Sequence, residues 1–96
     1  MHAVVRTYSG DVAKKLMTLA KERSKDLEAA MRPVKGLVSY ALIQTADGGV
    51  SVTVCQDKSG TDESVRVAAD WIRQNAGSIG TSAPSVLEGS VIVHVK

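Results

Sequence analysis

Residues 36–57 read GLVSYALIQTADGGVSVTVCQD, and this stretch decides the fold because it predicts a β-hairpin. Two runs rich in Val, Leu, Ile, Tyr and Thr flank an Asp-Gly dipeptide, which supplies the positive φ angles of a tight hairpin turn. The predicted register pairs Thr45 with Val50, and Tyr40 with Cys55. Everything else in the chain is placed relative to this hairpin.

Alternation along the hairpin separates two faces of the predicted sheet, because successive strand residues point to opposite sides. The first face is purely apolar, and we expect it to pack on the helices as the core. It carries Ala41, Ile43, Val50, Val52 and Val54. The second face is mixed and carries Tyr40, Leu42, Gln44, Ser51, Thr53 and Cys55.

The segments around the hairpin predict further strands and helices. Residues 2–8 are short and β-branched, which indicates a first strand. Residues 11–31 and 62–75 repeat apolar side chains at helical spacing, so each predicts an amphipathic helix. Residues 78–85 are rich in Gly, Ser, Thr and Pro and predict a loop, and residues 86–95 predict the last strand.

This order, strand, helix, strand, strand, helix, strand, predicts an α+β fold of the ferredoxin-like type. Such a βαββαβ chain forms a four-stranded antiparallel sheet with two helices on one face. Ninety-six residues with 44% hydrophobic content suffice for a single domain, residues 1–96. The face away from the helices would expose an apolar patch, so we expect a homodimer that buries it. The expected dimer-interface residues are Tyr40, Leu42, Thr53, Cys55 and Ile92.

Composition argues against several classes of partner. The twelve basic and ten acidic residues are interleaved, and the chain has no Phe for base stacking, so we expect no nucleic-acid binding. Two His and one Cys are too few for a standard metal site, and no apolar run reaches membrane-spanning length. One Cys allows no intrachain disulfide. We expect a cytoplasmic protein without a metal, membrane or nucleic-acid partner.

Three segments resemble small bacterial proteins of the dimeric α/β-barrel superfamily, which includes the antibiotic-biosynthesis monooxygenases. They are GLVSY at 36–40, ESVRVAADWIR at 63–73 and EGSV at 88–91, which leads to His94. The resemblance implies two sheets packed into a barrel, with ligands between sheet and helices. It implies at most a cofactor-independent, monooxygenase-like activity, and no catalytic residue carries over. The haem-degrading branch uses a His on the second helix, and residues 62–75 contain none.

Four side chains are candidates for ligand contact. His94 interrupts an apolar strand, where it is either a proton shuttle or a hydrogen-bonded structural His. Trp71 lies at the edge of a helical stripe, where it either stacks on a planar ligand or closes the helix against a loop. Tyr8 and Tyr40 add aromatic surface.

Because these residues are mostly apolar or aromatic, we expect a small planar apolar ligand, such as a quinone or polyphenol, and no cofactor. The chain would bind or oxidise this molecule in a cleft between sheet and helices. A non-enzymatic ligand-binding or structural dimer of the same fold is the alternative.

Overall fold

The computed structural model describes residues 1–77, 79 and 83–96. Its strands are β1 His2–Ser9, β2 Leu37–Thr45, β3 Gly48–Cys55 and β4 Ser85–Ser90, and its helices are α1 Asp11–Glu22, α2 Ser24–Met31 and α3 Lys58–Asn75. The strands form one antiparallel sheet in the order β2-β3-β1-β4. This is the ferredoxin-like arrangement, so the predicted fold class is confirmed. Of the predicted loop at 78–85, residues 78 and 80–82 lie outside the described part of the chain.

The hairpin is present, but its turn is tighter than the sequence predicts. Tyr40 pairs with Thr53 instead of Cys55, and the ladder continues to Thr45 and Gly48. A two-residue connection of Ala and Asp therefore joins β2 to β3. The register differs from the predicted one by an even number of residues, so every side chain keeps its predicted face.

The helices cover the mixed face of the sheet and not the valine face. Thr53 and Cys55 are fully buried, and Cys55 packs in one cluster with Ala68 and Trp71 of α3. The prediction that the valine face packs on the helices is therefore wrong. Met17 packs over Gly49, and Trp71 packs in one cluster with Cys55, so bulky helix side chains close over the small residues of β3.

This correction reverses the two sides of the sheet. Tyr40, Leu42, Thr53 and Cys55, four of the predicted interface residues, lie on the helix side, because the pairings place them in rows with buried residues. The opposite side is called the outer face. Its apolar residues are Ala3, Val5, Ala41, Ile43, Val50, Val52, Val54 and Leu87.

The predicted long first helix is divided at Arg23, so two helices, α1 and α2, take its place. Arg23 has φ −113° and ψ 33°, and it is the residue that interrupts the predicted apolar stripe. Its Nη1 donates a hydrogen bond of 2.8 Å to Oδ1 of Asn75, which joins the break to the end of α3. Helix α3 begins at Lys58, earlier than predicted, because the Asp57 carboxylate accepts the Gly60 N–H at 3.3 Å as an N-cap.

Strand β4 ends at Ser90, well before the predicted end of the last strand at residue 95. The reason is geometric: Ser90 pairs with His2, where β1 begins, and Val91 adds only one hydrogen bond of 2.9 Å to the carbonyl of Met1. Ile92, the fifth predicted interface residue, therefore lies beyond the strand and is 93% exposed. The prediction of a single strand over 86–95 is wrong.

Candidate binding cleft

A cleft of about 580 Å³ opens between β2 and the pair of helices α1 and α2. It exists because β2 is an edge strand, whereas α1 and α3 pack mainly on the central strands β1 and β3. The floor and inner walls are mostly apolar and consist of Met17, Ala20, Leu27, Met31, Leu37, Tyr40 and Leu42. The exposed rim is polar and consists of Lys21, Ser24, Glu28, Arg32 and Gln44.

The helical wall follows from residue spacing. Met17 and Ala20 are three residues apart on α1, and Leu27 and Met31 are four apart on α2, so each pair shares one side of its helix. All four are buried. The two helices therefore present a continuous apolar surface to the cleft.

Beneath the cleft lies a void of about 20 Å³. It shares Met17, Ala20, Leu27, Tyr40 and Leu42 with the cleft, so these side chains border both spaces. Its remaining lining residues are Arg6, Tyr8, Leu16, Ser51, Ala68, Trp71 and Ile72. A space of this size holds roughly one water molecule or one oxygen atom of a larger molecule.

The guanidinium of Arg6 is the most unusual group in this interior. Arg6 is 2% exposed, and its Nη1 makes one long hydrogen bond of 3.4 Å to the hydroxyl of Tyr8. Its Nε and Nη2 have no hydrogen-bond partner among the described residues. Ser51 lies directly opposite on β3, and its buried hydroxyl also lacks a partner within the described part of the chain. Buried polar atoms are normally satisfied, so this pair calls for an explanation.

Tyr40 stands between the cleft and the void. Burial raises the pKa of its phenol, while the positive charge of Arg6 acts in the opposite direction. The phenol is therefore protonated at neutral pH. It can donate a hydrogen bond to a molecule in the cleft.

The predicted ligand-contact residues fall in different places. Tyr40 lines the cleft and the void, whereas Tyr8 and Trp71 line only the void. Trp71 also donates from Nε1 to Oδ2 of Asp26 at 3.1 Å, which ties α3 to α2. His94 lines neither space, because it belongs to the exposed segment after β4. Their roles in ligand contact stay predictions.

Sequence reasoning missed Arg6 and the helical wall of the cleft. A signal for Arg6 exists, because it alternates with Val4 and Tyr8 on one side of a short apolar strand. An arginine is normally exposed, so the pattern by itself reads as a surface position. In the sequence, Met17 and Met31 have the pattern of ordinary core residues, and only the packing of the chain shows that they also border the cleft.

The described ranges offer neither a cluster of metal ligands nor a membrane-spanning helix. Within residues 1–77, 79 and 83–96, His, Cys, Asp and Glu side chains form no cluster of three that could hold a metal ion. The helices in the same ranges are too short or too polar for any of them to span a membrane.

No family model matches the chain, and no curated protein matches it. Solved structures do. A monooxygenase from Streptomyces coelicolor in complex with the ligand nanaomycin D has a TM-score of 0.64 and 15% identity, covering 99% of this chain and 89% of that chain. A dimeric ferredoxin-like protein from an uncultured marine organism has a TM-score of 0.64 and 12% identity, covering 99% and 95%.

The haem degrader MhuD from Mycobacterium tuberculosis, with two haems bound in its active site, has a TM-score of 0.63 and 15% identity, and the match covers 100% of both chains. This chain has the same fold. The resemblance predicted from the sequence is thereby confirmed at the level of the fold. Identities this low show the fold alone.

Proposed function

We propose that the chain binds a small, planar, mainly apolar molecule in the cleft between β2 and the helices α1 and α2. The observation that carries this proposal is the cleft itself, with its apolar floor and polar rim. Its volume of about 580 Å³ lies within the usual range for small-molecule sites, and apolar lining with a few polar groups is typical of them.

The neighbouring structures support the same reading. The Streptomyces monooxygenase holds nanaomycin D, and MhuD holds haem, which is a planar macrocycle, on the fold that this chain shares. The rim of the cleft in this chain carries positive charge at Lys21 and Arg32 and negative charge at Glu28, around an apolar centre. Such a site suits an aromatic body with polar substituents.

Calorimetric titration tests this proposal with three neutral aromatic amides of increasing size: naphthamide, anthracene carboxamide and pyrene carboxamide. We expect at least one to bind. Leu42→Lys places a charge on the apolar floor and should weaken binding about tenfold or more, since burying an unpaired charge is costly. Gln44→Lys is the matched control, because Gln44 lies on the same strand and face but at the polar rim. Failure of all three amides, and of the carboxylic acids with the same ring systems, to bind would refute the proposal.

Oxidation of the bound molecule is the second candidate function. The observation that favours it is that Tyr40 lines both the cleft and the void while Arg6 lines the void beside it, where the two can hold an electron-rich phenol or its anion. In a cofactor-independent reaction, one oxygen atom of O₂ becomes the carbonyl oxygen of the product and the other leaves as water, while the activated methylene group of the substrate supplies both hydrogens. An oxygen electrode with anthrone as substrate tests this, and Tyr40→Phe should slow the uptake. If the protein does not accelerate oxygen uptake, the oxidation proposal fails and the proposal of a non-enzymatic binding protein stands.

We further propose that the chain is a homodimer through its outer face, and that it resides in the cytoplasm as one domain. Leu87 is 73% exposed and Ile43 is 49% exposed on that face, and a neighbour of the same fold is described as dimeric. In the segment after β4, Ile92 is 93% and Val95 is 86% exposed. A second copy would bury these side chains, and each Å² of apolar area removed from water stabilises the dimer by about 25 cal/mol.

A further inference from the structure

The buried guanidinium of Arg6 is an energetic liability in the free protein. Arginine keeps its charge in proteins, and a buried ion without a counterion destabilises the folded state. Among the described residues, no carboxylate forms an ion pair with Arg6. The groups beside its guanidinium are the hydroxyl of Tyr8, at 3.4 Å from Nη1, and the phenol of Tyr40, whose pKa is raised by burial and lowered, to a smaller extent, by a hydrogen bond with Arg6. A methionine or leucine at this position would avoid that cost, so the charge needs a counterpart.

The donors around the void converge on one space. Arg6 and Ser51 face each other across the β1–β3 ladder, and both line the void. Nε and Nη2 of Arg6 and the hydroxyl of Ser51 are all unpartnered within the described residues. A void of about 20 Å³ accepts about one oxygen atom. The interior therefore offers at least three donors to one small acceptor.

This acceptor can come from the cleft. Met17 and Leu42 border both the cleft and the void, and Met17 is an unbranched, flexible side chain that can turn aside. A single water molecule would satisfy some of the donors, but it would leave the positive charge uncompensated. An anionic oxygen satisfies the donors and the charge together, and charge-assisted hydrogen bonds are about twice as strong as neutral ones.

We propose that Arg6 is an anion receptor at the inner end of the cleft, and that the ligand is an aromatic molecule carrying one acidic oxygen group, a carboxylate or an ionised phenol. The aromatic body occupies the apolar cleft between β2 and α1 and α2. The anionic oxygen enters the void and accepts hydrogen bonds from Arg6 and Ser51. This inference rests on the proposed binding function, and it adds an acidic group to a ligand that the sequence predicts to be apolar.

Matched pairs of probes test it on the unmodified protein. Naphthoate, anthracene carboxylate and pyrene carboxylate are compared by calorimetry with the three amides of the same ring systems, which have nearly the same shape but no charge. We expect each carboxylate to bind at least about tenfold more tightly than its amide, the size of one charge-assisted hydrogen bond. Equal affinities would overturn the anion receptor while leaving the binding cleft intact. Absence of binding for both members of every pair would instead refute the cleft, and the receptor with it.

Two variants locate the effect. Arg6→Met should remove the preference for the carboxylate, because carboxylate binding loses the charge-assisted hydrogen bonds and weakens more than amide binding does. The variant should keep or raise the melting temperature, since it removes an unpaired buried charge. Arg6→Lys keeps the charge and should retain part of the preference for the carboxylate. It replaces Arg6→Met as the test variant if Arg6→Met does not fold. Arg66→Met, at an exposed position of α3, is the control and should change nothing. A carboxylate preference that survives Arg6→Met would also overturn the inference.

Discussion

Trp71 and Asp26 join two helices that are far apart in sequence. The indole N–H of Trp71 on α3 donates to the carboxylate of Asp26 on α2 at 3.1 Å, while the ring itself is 5% exposed. The same ring packs against Leu27 and Met31 in one core cluster. Because α2 forms one wall of the cleft, this contact fixes the distance between that wall and the rest of the core.

Replacing Trp71 by Phe should therefore destabilise the protein. The variant loses the hydrogen bond and part of the buried ring, and we expect the free energy of unfolding to fall by about 1–3 kcal/mol. Urea denaturation followed by circular dichroism measures this without relying on tryptophan fluorescence. Asp26→Asn is the matched control, since the amide still accepts the bond, and its effect should be clearly smaller. If Trp71→Phe is as stable as the parent, the contact does not hold α2.

Gly48 should tolerate no side chain. It begins β3 with φ +156°, and a Cβ atom at this position would overlap the carbonyl oxygen of Tyr8 and approach the Cβ of Ala13 to 3.0 Å. Gly48→Ala is expected to lower the free energy of unfolding by about 1–3 kcal/mol, because backbone atoms must move. Gly89→Ala provides the comparison, since nothing lies within 4 Å of its Cβ position. Thermal unfolding measures the melting temperatures of both variants, and we expect Gly48→Ala to melt at the lower temperature. Equal melting temperatures would contradict the expected overlap.

The hairpin and the element order were predictable because they depend on local patterns. An Asp-Gly dipeptide between two β-branched runs specifies a turn, and alternation assigns each side chain to a face whatever the exact register. The choice of which face the helices cover is not local. It depends on how Met17 fits above Gly49 and Trp71 against Cys55, which alternation along one strand does not encode.

The candidate site was predictable only in part, for a similar reason. Tyr40 was identifiable as an aromatic residue on a mixed strand face, and it does line the cleft. Arg6 was not, because an arginine in a short strand is exposed far more often than buried. The opening itself depends on the edge position of β2, which the periodicity of residues 11–31 does not show. Arg23 interrupts the apolar stripe of that segment, but an interrupted stripe does not by itself indicate that the helix is divided there.

Alkaline pH should destabilise the protein through Tyr40. Burial raises the pKa of its phenol above the ordinary value of 10.0. Below that value the phenol is protonated in both states and stability is unaffected. As pH rises above 10.0, the unfolded chain releases the proton first, so the free energy of unfolding falls until the folded-state pKa is passed.

Urea denaturation between pH 8 and 11 measures this dependence, and Tyr40→Phe should flatten it. Both chains should carry Cys55→Ala, because burial also raises the pKa of the Cys55 thiol from its ordinary value of 9.0 and would add a second decline. Parallel curves for the two chains would show that Tyr40 does not cause the alkaline loss.

The outer face gives the most direct prediction about assembly. Ile43→Asp and Leu87→Asp each place a carboxylate among the apolar side chains of that face. In a single chain, Ile43 is 49% exposed and Leu87 is 73% exposed. A single chain should therefore fold with either substitution. A dimer should not form, because the carboxylate would be buried without a partner in the interface. Light scattering at micromolar concentration should give the mass of two chains for the parent and of one chain for each variant.

Gln44→Asp tests whether the loss of the dimer depends on the outer face or merely on adding a carboxylate to β2. Gln44 follows Ile43 on β2 and points to the helix side, so the same carboxylate on the same strand leaves the outer face unchanged. This variant should keep the mass of two chains. If the parent itself has the mass of one chain, then the outer face is not a self-association surface, and its exposed Leu87 and Ile43 must be covered by something other than a second copy.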